Sequence, residues 1–364
     1  MKYRINRRTG ERISEIGIGS AYLFEAGMEE GVKALRTAVE GGVNYFDLAA
    51  GDGKAFPIFG EALQDVRKDV FFQIHFGAEY SKGTYGWSLD LDTVKYSVDR
   101  QLRELKTDYI DYGFIHCLDE EADWDTYREN GIYEYILRLK EEGVVRHTAL
   151  SSHTPSVAQR VMDDAEIDML MFSINAAYDY GRGDYAKGSS DERGDLYRRC
   201  EAEGVGITVM KPFCSGQLLD AKLSPFGKAL THYQCLRYAL DKPGVISVLP
   251  GAANTEDVRR LLAYYDQPEE AVDYSVIGTF TPPEAAGKCV YCNHCKPCPA
   301  GIDVGLVNKY YDLTRAGDAL AREHYLTLGR RAGDCTGCGH CDRRCPFGVR
   351  QSERMREIRE YMGA

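Results

Sequence analysis

The chain has 364 residues, 44% hydrophobic and 28% charged, with a formal net charge of −11. That length allows one large domain plus a small one, and the acidic balance excludes a general role on nucleic acid or at a membrane surface. No run approaches the ~18 apolar residues of a membrane span, and no apolar stretch follows the basic opening MKYRINRRTGER, so no secretory signal is read.

In chain order, strand-like segments are expected at 13–18, 45–47, 70–76, 110–116, 144–151, 169–174, 206–210 and 246–249, with helices between them. The helix at 91–106 is the clearest: Leu91, Val94, Val98, Leu102 and Leu105 recur at helical spacing behind Asp90 as N-cap. Another, at 136–143, stops at Gly143. Strands each followed by a helix over such a length predict an α/β fold, a (β/α)8 barrel. An open doubly wound sheet needs a glycine-rich phosphate loop after its first strand, and Gly17-Ile18-Gly19-Ser20 is too short for one. Periodicity breaks at the prolines of FTPPEAAGK, 280–288. The expected domains are therefore a barrel at 1–278 and a smaller one at 279–364. Between the cysteine runs of that second domain, 304–329 reads as helical, so a mainly helical ferredoxin-like module is expected.

Eight of the twelve cysteines stand in two runs, each closed by a proline. The first is Cys289, Cys292, Cys295, Cys298 and Pro299; the second is Cys335, Cys338, Cys341, Cys345 and Pro346. Three thiolates at a two-residue stagger wrap one face of a [4Fe–4S] cluster, and the cysteine before proline reaches across to the other cluster. Two clusters are expected. One is held by Cys289, Cys292, Cys295 and Cys345, the other by Cys335, Cys338, Cys341 and Cys298. Structural zinc usually takes cysteines as two separated pairs, which leaves the third cysteine of each run and the prolines unexplained. So many free thiols imply a reducing compartment, the cytoplasm, and anaerobic chemistry. Cys117, Cys200, Cys214 and Cys235 are scattered and read as small buried hydrophobes. The arginine-rich tail (Arg343, Arg344, Arg350, Arg354, Arg356, Arg359) reads either as a solvated helix face or as a docking patch for an acidic donor.

Several blocks then become recognisable. GGVNYFDLAAGDG resembles the aldo-keto reductase segment G-x-x-x-F-D-T-A-x-x-Y-G, and LKTDYIDYGFIH is similar to that family's L-x-x-D-Y-I-D-L-x-x-I-H. GVVRHTALSSHT resembles its fifth-strand stretch; VMKPF and VLPGAANTEDV resemble its seventh- and eighth-strand segments. The resemblance spans roughly 1–266, and the cysteine-rich tail is similar to the iron–sulfur branch of the same superfamily. It implies an Asp, Tyr, Lys, His tetrad at the C-terminal strand ends and a nicotinamide cofactor. Carried over by position, Asp47 matches the aspartate and His116 the histidine, while Asp52 stands for the tyrosine and His75 for the lysine. Ser151, Gly251 and Asn254 match cofactor-contacting positions, but Ala253 replaces the basic residue that contacts the NADPH 2′-phosphate. NAD(P)H is thus weakly supported.

Three accounts of Asp47, Asp52, His75 and His116 stand. They form a redesigned acid–base set, with His75 charged by Asp47 in place of the lysine. They bind a divalent metal. Or they are vestigial on a scaffold. Tyr80, Tyr85 and Tyr178 lie in segments expected over the mouth, where one replaces the missing acid. Trp87 reads as a pocket wall or as a ring packed on the rim. Lys211 ends the seventh strand, to hold an anionic substrate or cofactor group or to pair with a carboxylate. The expected function is an iron–sulfur oxidoreductase. It takes electrons from a soluble ferredoxin or flavodoxin to a small carbonyl or unsaturated substrate, with no nucleic-acid or membrane partner. The alternatives are a conventional NAD(P)H-dependent reductase with structural clusters and a non-catalytic electron-transfer subunit.

Overall fold

The computed structural model describes residues 1–49, 53–80, 85–183, 185–279 and 286–363. Its contacts divide the chain into two compact units. The first is Met1–Ile174 with Val205–Pro212 and Ile246–Gln267; the second is Asn175–Gly204 with Phe213–Val245 and everything from Pro268.

The first unit opens with an antiparallel pair, β1 (Tyr3–Ile5) and β2 (Arg12–Ser14). The parallel strands are β3 (Ile18–Gly19), β4 (Tyr45–Asp47), β5 (Phe71–Phe76), β8 (Ile110–Ile115), β9 (Val145–Ser152), β10 (Met169–Ser173), β11 (Gly206–Met210) and β12 (Val245–Val248). A short antiparallel pair, β6 (Ala78–Glu79) and β7 (Gly86–Trp87), follows β5. The parallel strands run β3-β4-β5-β8-β9-β10-β11-β12, and parallel bridges Ile16–Val248 and Gly19–Gly251 join the two edges. This is the expected (β/α)8 barrel. The stretch expected as one strand at 13–18 is two: the Ser14 hydroxyl donates to the Ile16 carbonyl at 2.8 Å, and the chain passes from the hairpin into β3.

Strand period 2 sorts the side chains. Tyr45, Tyr112, Phe114, Ala149, Met169, Met171 and Met210 pack together as the barrel interior. Alternate residues face the helices, as where Phe46 sets its ring edge against Phe59 and Phe72. The same alternation carries Asp47, Gln73, His75 and His116 to the interior ends of β4, β5 and β8. The helix after β7 runs Leu91–Glu104, and the Asp90 carboxylate accepts the Thr93 N–H at 2.8 Å, the expected N-cap. The helix expected at 136–143 starts earlier and runs Ile132–Glu141, with Gly143 at φ +79° beyond its end.

His147, on β9, lies 3.2 Å from Glu11 and 3.7 Å from Asp168. Burial opposes its charge, but hydrogen bonds to the two carboxylates outweigh burial and hold its pKa at about 9. A folded-state value above the unfolded ~6.5 means this stabilisation is complete below about pH 6.5 and is lost as pH rises through about 9. His147→Gln is therefore expected to lower Tm at pH 6 and to have much less effect at pH 10, measured by scanning calorimetry at both pH values.

The second unit is mainly helical. Helices Val304–Arg315 and Ala319–Leu326 fill the segment expected to be helical, separated by Gly317 at φ +96°. Helix Gln351–Met362 closes the chain. Val304, Val307, Tyr311, Tyr325, Met355 and Ile358 form its core, against which Cys295 and Cys341 are buried. Helix Ser190–Glu203 packs on Val304–Arg315. Asp179 is a buried node that accepts from Arg193, Tyr197 and Tyr238 at 2.9, 2.6 and 2.8 Å. Among the described residues no helix is long and apolar enough to cross a membrane.

Candidate active site and cluster ligands

At the mouth of the first unit, four side chains form one hydrogen-bonded line. Asp47 Oδ1 is 3.0 Å from His75 Nε2, His75 Nδ1 is 2.9 Å from His116 Nδ1, and His116 Nε2 is 2.7 Å from the Tyr85 hydroxyl. Asp47, His75 and His116 are buried, whereas Tyr85 is 42% exposed, so the line runs from the barrel interior to its surface. Burial, then the neighbouring charges of His75, His153 and Lys211, push the His116 pKa well below the usual imidazole range. His116 is thus neutral, with one nitrogen donating and the other accepting.

Strand β7 sets the end of this line. Ala78 pairs with Trp87 and Glu79 with Gly86, which turns the chain back over β5 and presents Tyr85 to His116. The Trp87 indole N–H donates to the His116 carbonyl at 3.2 Å. Trp87 is therefore a rim residue that fixes the hairpin. The Tyr80 hydroxyl is spent on the Ala49 carbonyl, and Tyr178 is buried in the other unit. Asp52 lies outside the described residues.

Gln73 was not anticipated. Its Oε1 accepts from Tyr45 at 2.9 Å, which orients the amide, and its Nε2 donates to Asp47 at 3.2 Å. The position is readable only after the fact, as the inward residue two before His75. Also unanticipated is a second polar line. The Lys211 ammonium donates to His153 Nε2 at 3.1 Å, and His153 Nδ1 is 2.9 Å from Asp119. Burial raises the Asp119 pKa, but the His153 hydrogen bonds and the Lys211 charge outweigh it and leave the carboxyl below its usual range. Burial lowers the Lys211 pKa. Cys117, half-buried at φ +52°, sits 3.8 Å from His153 rather than in the core, unlike the buried Cys200, Cys214 and Cys235. Among the described residues, Cys117, Asp119 and His153 are the group with metal-ligand spacing; Asp47, His75 and His116 are not such a group.

On β9, Ser151 is buried; the remaining aligned positions lie beyond β12. A Cβ on Gly251 would stand 2.6 Å from the Tyr22 ring. The helix Thr255–Leu262 is capped by Asn254, whose Oδ1 accepts the Asp257 N–H at 2.9 Å. Glu30 accepts the Thr255 N–H at 2.8 Å, and Asp257 accepts the Ala253 N–H at 3.0 Å. Two carboxylates thus fill the helix N-terminus, where an anionic ligand would otherwise bind.

In the second unit, Cys298, Cys335, Cys338 and Cys341 line one cavity. Cys289, Cys292 and Cys295 lie close enough to act electrostatically on one another, and Cys345 acts on Cys292. All twelve cysteines are free thiols. A donor set of soft sulfurs gathered this way, with each proline-adjacent cysteine beside the opposite run, fits iron–sulfur clusters.

The profile of the aldo/keto reductase family matches residues 15–232. The chain belongs to the aldo/keto reductase family. A 4Fe–4S dicluster domain matches residues 285–349 of this aldo/keto reductase. It is 28% identical over 270 residues to an uncharacterised oxidoreductase, YqkF, of Bacillus subtilis, covering 68% of this chain and 85% of that one. The fold is similar to that of aldo-keto reductase AKR11C1 from Bacillus halodurans, with a TM-score of 0.60 at 24% identity over 75% of this chain and 94% of that one. It is also similar to an aldo-keto reductase from Klebsiella pneumoniae solved with NADPH, with a TM-score of 0.57 at 20% identity over 78% and 96% of the two chains. This aldo/keto reductase is an oxidoreductase that carries an iron–sulfur domain.

Proposed function

We propose that this protein passes electrons from two [4Fe–4S] clusters to a small carbonyl or unsaturated organic substrate at the barrel mouth, with 1–278 as the reducing barrel and 279–364 as the electron-carrying module. Cys289, Cys292, Cys295 and Cys345 hold one cluster; Cys335, Cys338, Cys341 and Cys298 hold the other. When bound, the clusters supply electrons singly, at potentials set by their surroundings. A soluble ferredoxin or flavodoxin of acidic surface is the donor.

The observation that carries this reading is the line from Asp47 to Tyr85. His75, paired with Asp47, carries a proton in place of the family's lysine. His75 Nδ1–H then donates to His116 Nδ1, His116 Nε2–H donates to the Tyr85 oxygen, and the Tyr85 O–H faces the substrate. As Tyr85 gives its proton to the substrate oxygen, His116 reprotonates Tyr85 and His75 reprotonates His116. His75 ends neutral, still donating Nε2–H to Asp47. One proton has moved from a buried site to the surface without charging His116, in keeping with that residue's depressed pKa, and two electrons with a second proton, taken from solvent onto carbon, complete the reduction. Asp52, in the lost tyrosine's position, has no part in this path. Ser151, Lys211, Gly251 and Asn254, which stand at the family's cofactor-contacting positions, are assigned in this reading to contact with the substrate.

The residues do not fit a nicotinamide dinucleotide. Glu30 and Asp257 occupy the helix N-terminus that would receive its phosphate, and Ala253 offers no cation. The test uses anaerobically purified protein with iron and sulfide analysis. Small aldehydes, ketones and enoates are supplied with either dithionite-reduced methyl viologen or NADPH. Turnover with the viologen and no NADPH fluorescence quenching at 100 μM, roughly the middle of the usual KM range, is expected. Micromolar NADPH binding with NADPH-driven turnover would establish the conventional reductase instead.

A further inference from the structure

Within the second unit, a cavity of about 450 Å³ is bordered by Lys242, Tyr238, Arg198, Arg354 and Cys289. Its charged walls are mostly paired within themselves. Arg198 binds Asp195 at 2.5 Å, Lys288 binds Asp191 at 2.5 Å, and Arg354 binds Asp312.

Lys242 is different. It is 7% exposed, and its ammonium lies 3.8 Å from the centroid of the Tyr238 ring. Among the described residues it makes no ion pair and no side-chain hydrogen bond. The carboxylates whose charge reaches it, Asp179 and Asp241, are committed elsewhere. Asp179 serves Arg193, Tyr197 and Tyr238, and Asp241 serves Arg237 and Tyr274. A face-on aromatic ring returns only part of the hydration that a buried ammonium gives up. Such a charge calls for an anion. Cys289 borders the same cavity, and both Cys289 and Cys292 bear electrostatically on Lys242. A cluster held by four thiolates is the anion the chain itself supplies at that place.

We infer that Lys242 is the buried counter-charge of the cluster held through Cys289, and that it sets that cluster's reduction potential above that of its neighbour. Reduction adds an electron to an already anionic centre, and a fixed positive charge beside it in a poorly hydrated site stabilises the reduced form more than the oxidised one. Lys242 is a positioning charge; it touches no substrate. The inference rests on the proposed ligation by Cys289.

The experiment is an anaerobic redox titration of the holoprotein followed by EPR, with Lys242→Met and Lys242→Arg beside wild type. In Lys242→Met, one of the two reduction waves is expected to move to more negative potential. The shift corresponds to about a tenfold lower reduced-to-oxidised ratio at fixed ambient potential, about 59 mV for a one-electron couple. The second wave and the iron content stay unchanged, and Lys242→Arg titrates like wild type. If Lys242→Met loses iron, Lys242→Arg with full iron and an unmoved wave, set against a shifted wave in Lys242→Gln, carries the same conclusion. Full iron with both waves unmoved in Lys242→Met overturns the inference while leaving the cluster reading intact. So does a wild-type wave that moves on adding inorganic phosphate, because the occupant is then an exogenous anion. Wild-type protein devoid of iron overturns both.

Discussion

Replacing Tyr85 with phenylalanine is expected to lower turnover with reduced viologen by about 10²–10⁴-fold, the range for loss of a positioned general acid. Iron content should stay at the wild-type level. The phenol is the exposed end of the Asp47–His75–His116 line, 2.7 Å from His116 Nε2. Its removal leaves a neutral, buried imidazole without contact to the surface. Phenylalanine keeps the ring packed at 5.9 Å from His116, so the stability cost should be held to about 1–3 kcal/mol, that of leaving one buried N–H without its partner. The decisive measurement is the pH profile of kcat for carbonyl substrates. Wild type should show a pH-dependent kcat, and Tyr85→Phe should leave a flat residual rate. Undiminished kcat in the variant would remove Tyr85 from the chemistry and leave the mouth as scaffold.

Single cysteine replacements should cross over between the two runs. Cys345→Ala is expected to remove the cluster of the first run, and Cys298→Ala that of the second, each taking iron from about eight to about four atoms per chain. One geometric observation favours this crossing: Cys298 lines one cavity with Cys335, Cys338 and Cys341. Iron analysis and EPR of each variant give the result directly. Were Cys345→Ala to lose the cluster of its own run, the crossed arrangement would be wrong. Either variant should abolish turnover driven by the external donor.

Much of this was legible in the chain. The barrel followed from strand period and helix spacing, because inward and outward residues of a buried parallel strand differ in kind, as Asp47 and Phe46 do. The iron–sulfur domain at 285–349 followed from the cysteine spacing alone, since a cluster sets the stagger of its thiolates. The inward-facing Asp47, His75 and His116 came from aligned position. What stayed hidden was contact across the chain. Tyr85 is joined to His116 by a two-residue strand pair that no periodicity announces. His153 meets Lys211 across 58 positions and Asp119 across 34. Gln73 looks like an ordinary strand residue until Tyr45 and Asp47 are seen on either side of it. The carboxylates at Thr255 and Ala253 were equally invisible, because Glu30 arrives from a helix 225 positions away.

The short β6–β7 hairpin has an evolutionary corollary. If the acid of this enzyme hangs from a rim hairpin instead of following the strand-end aspartate, a screen that checks fixed alignment columns for a tyrosine would file such chains as dead relatives. Sorting homologues by the paired imidazoles instead would gather them into a working lineage, with the donor free to migrate along the rim as that hairpin lengthens or shrinks.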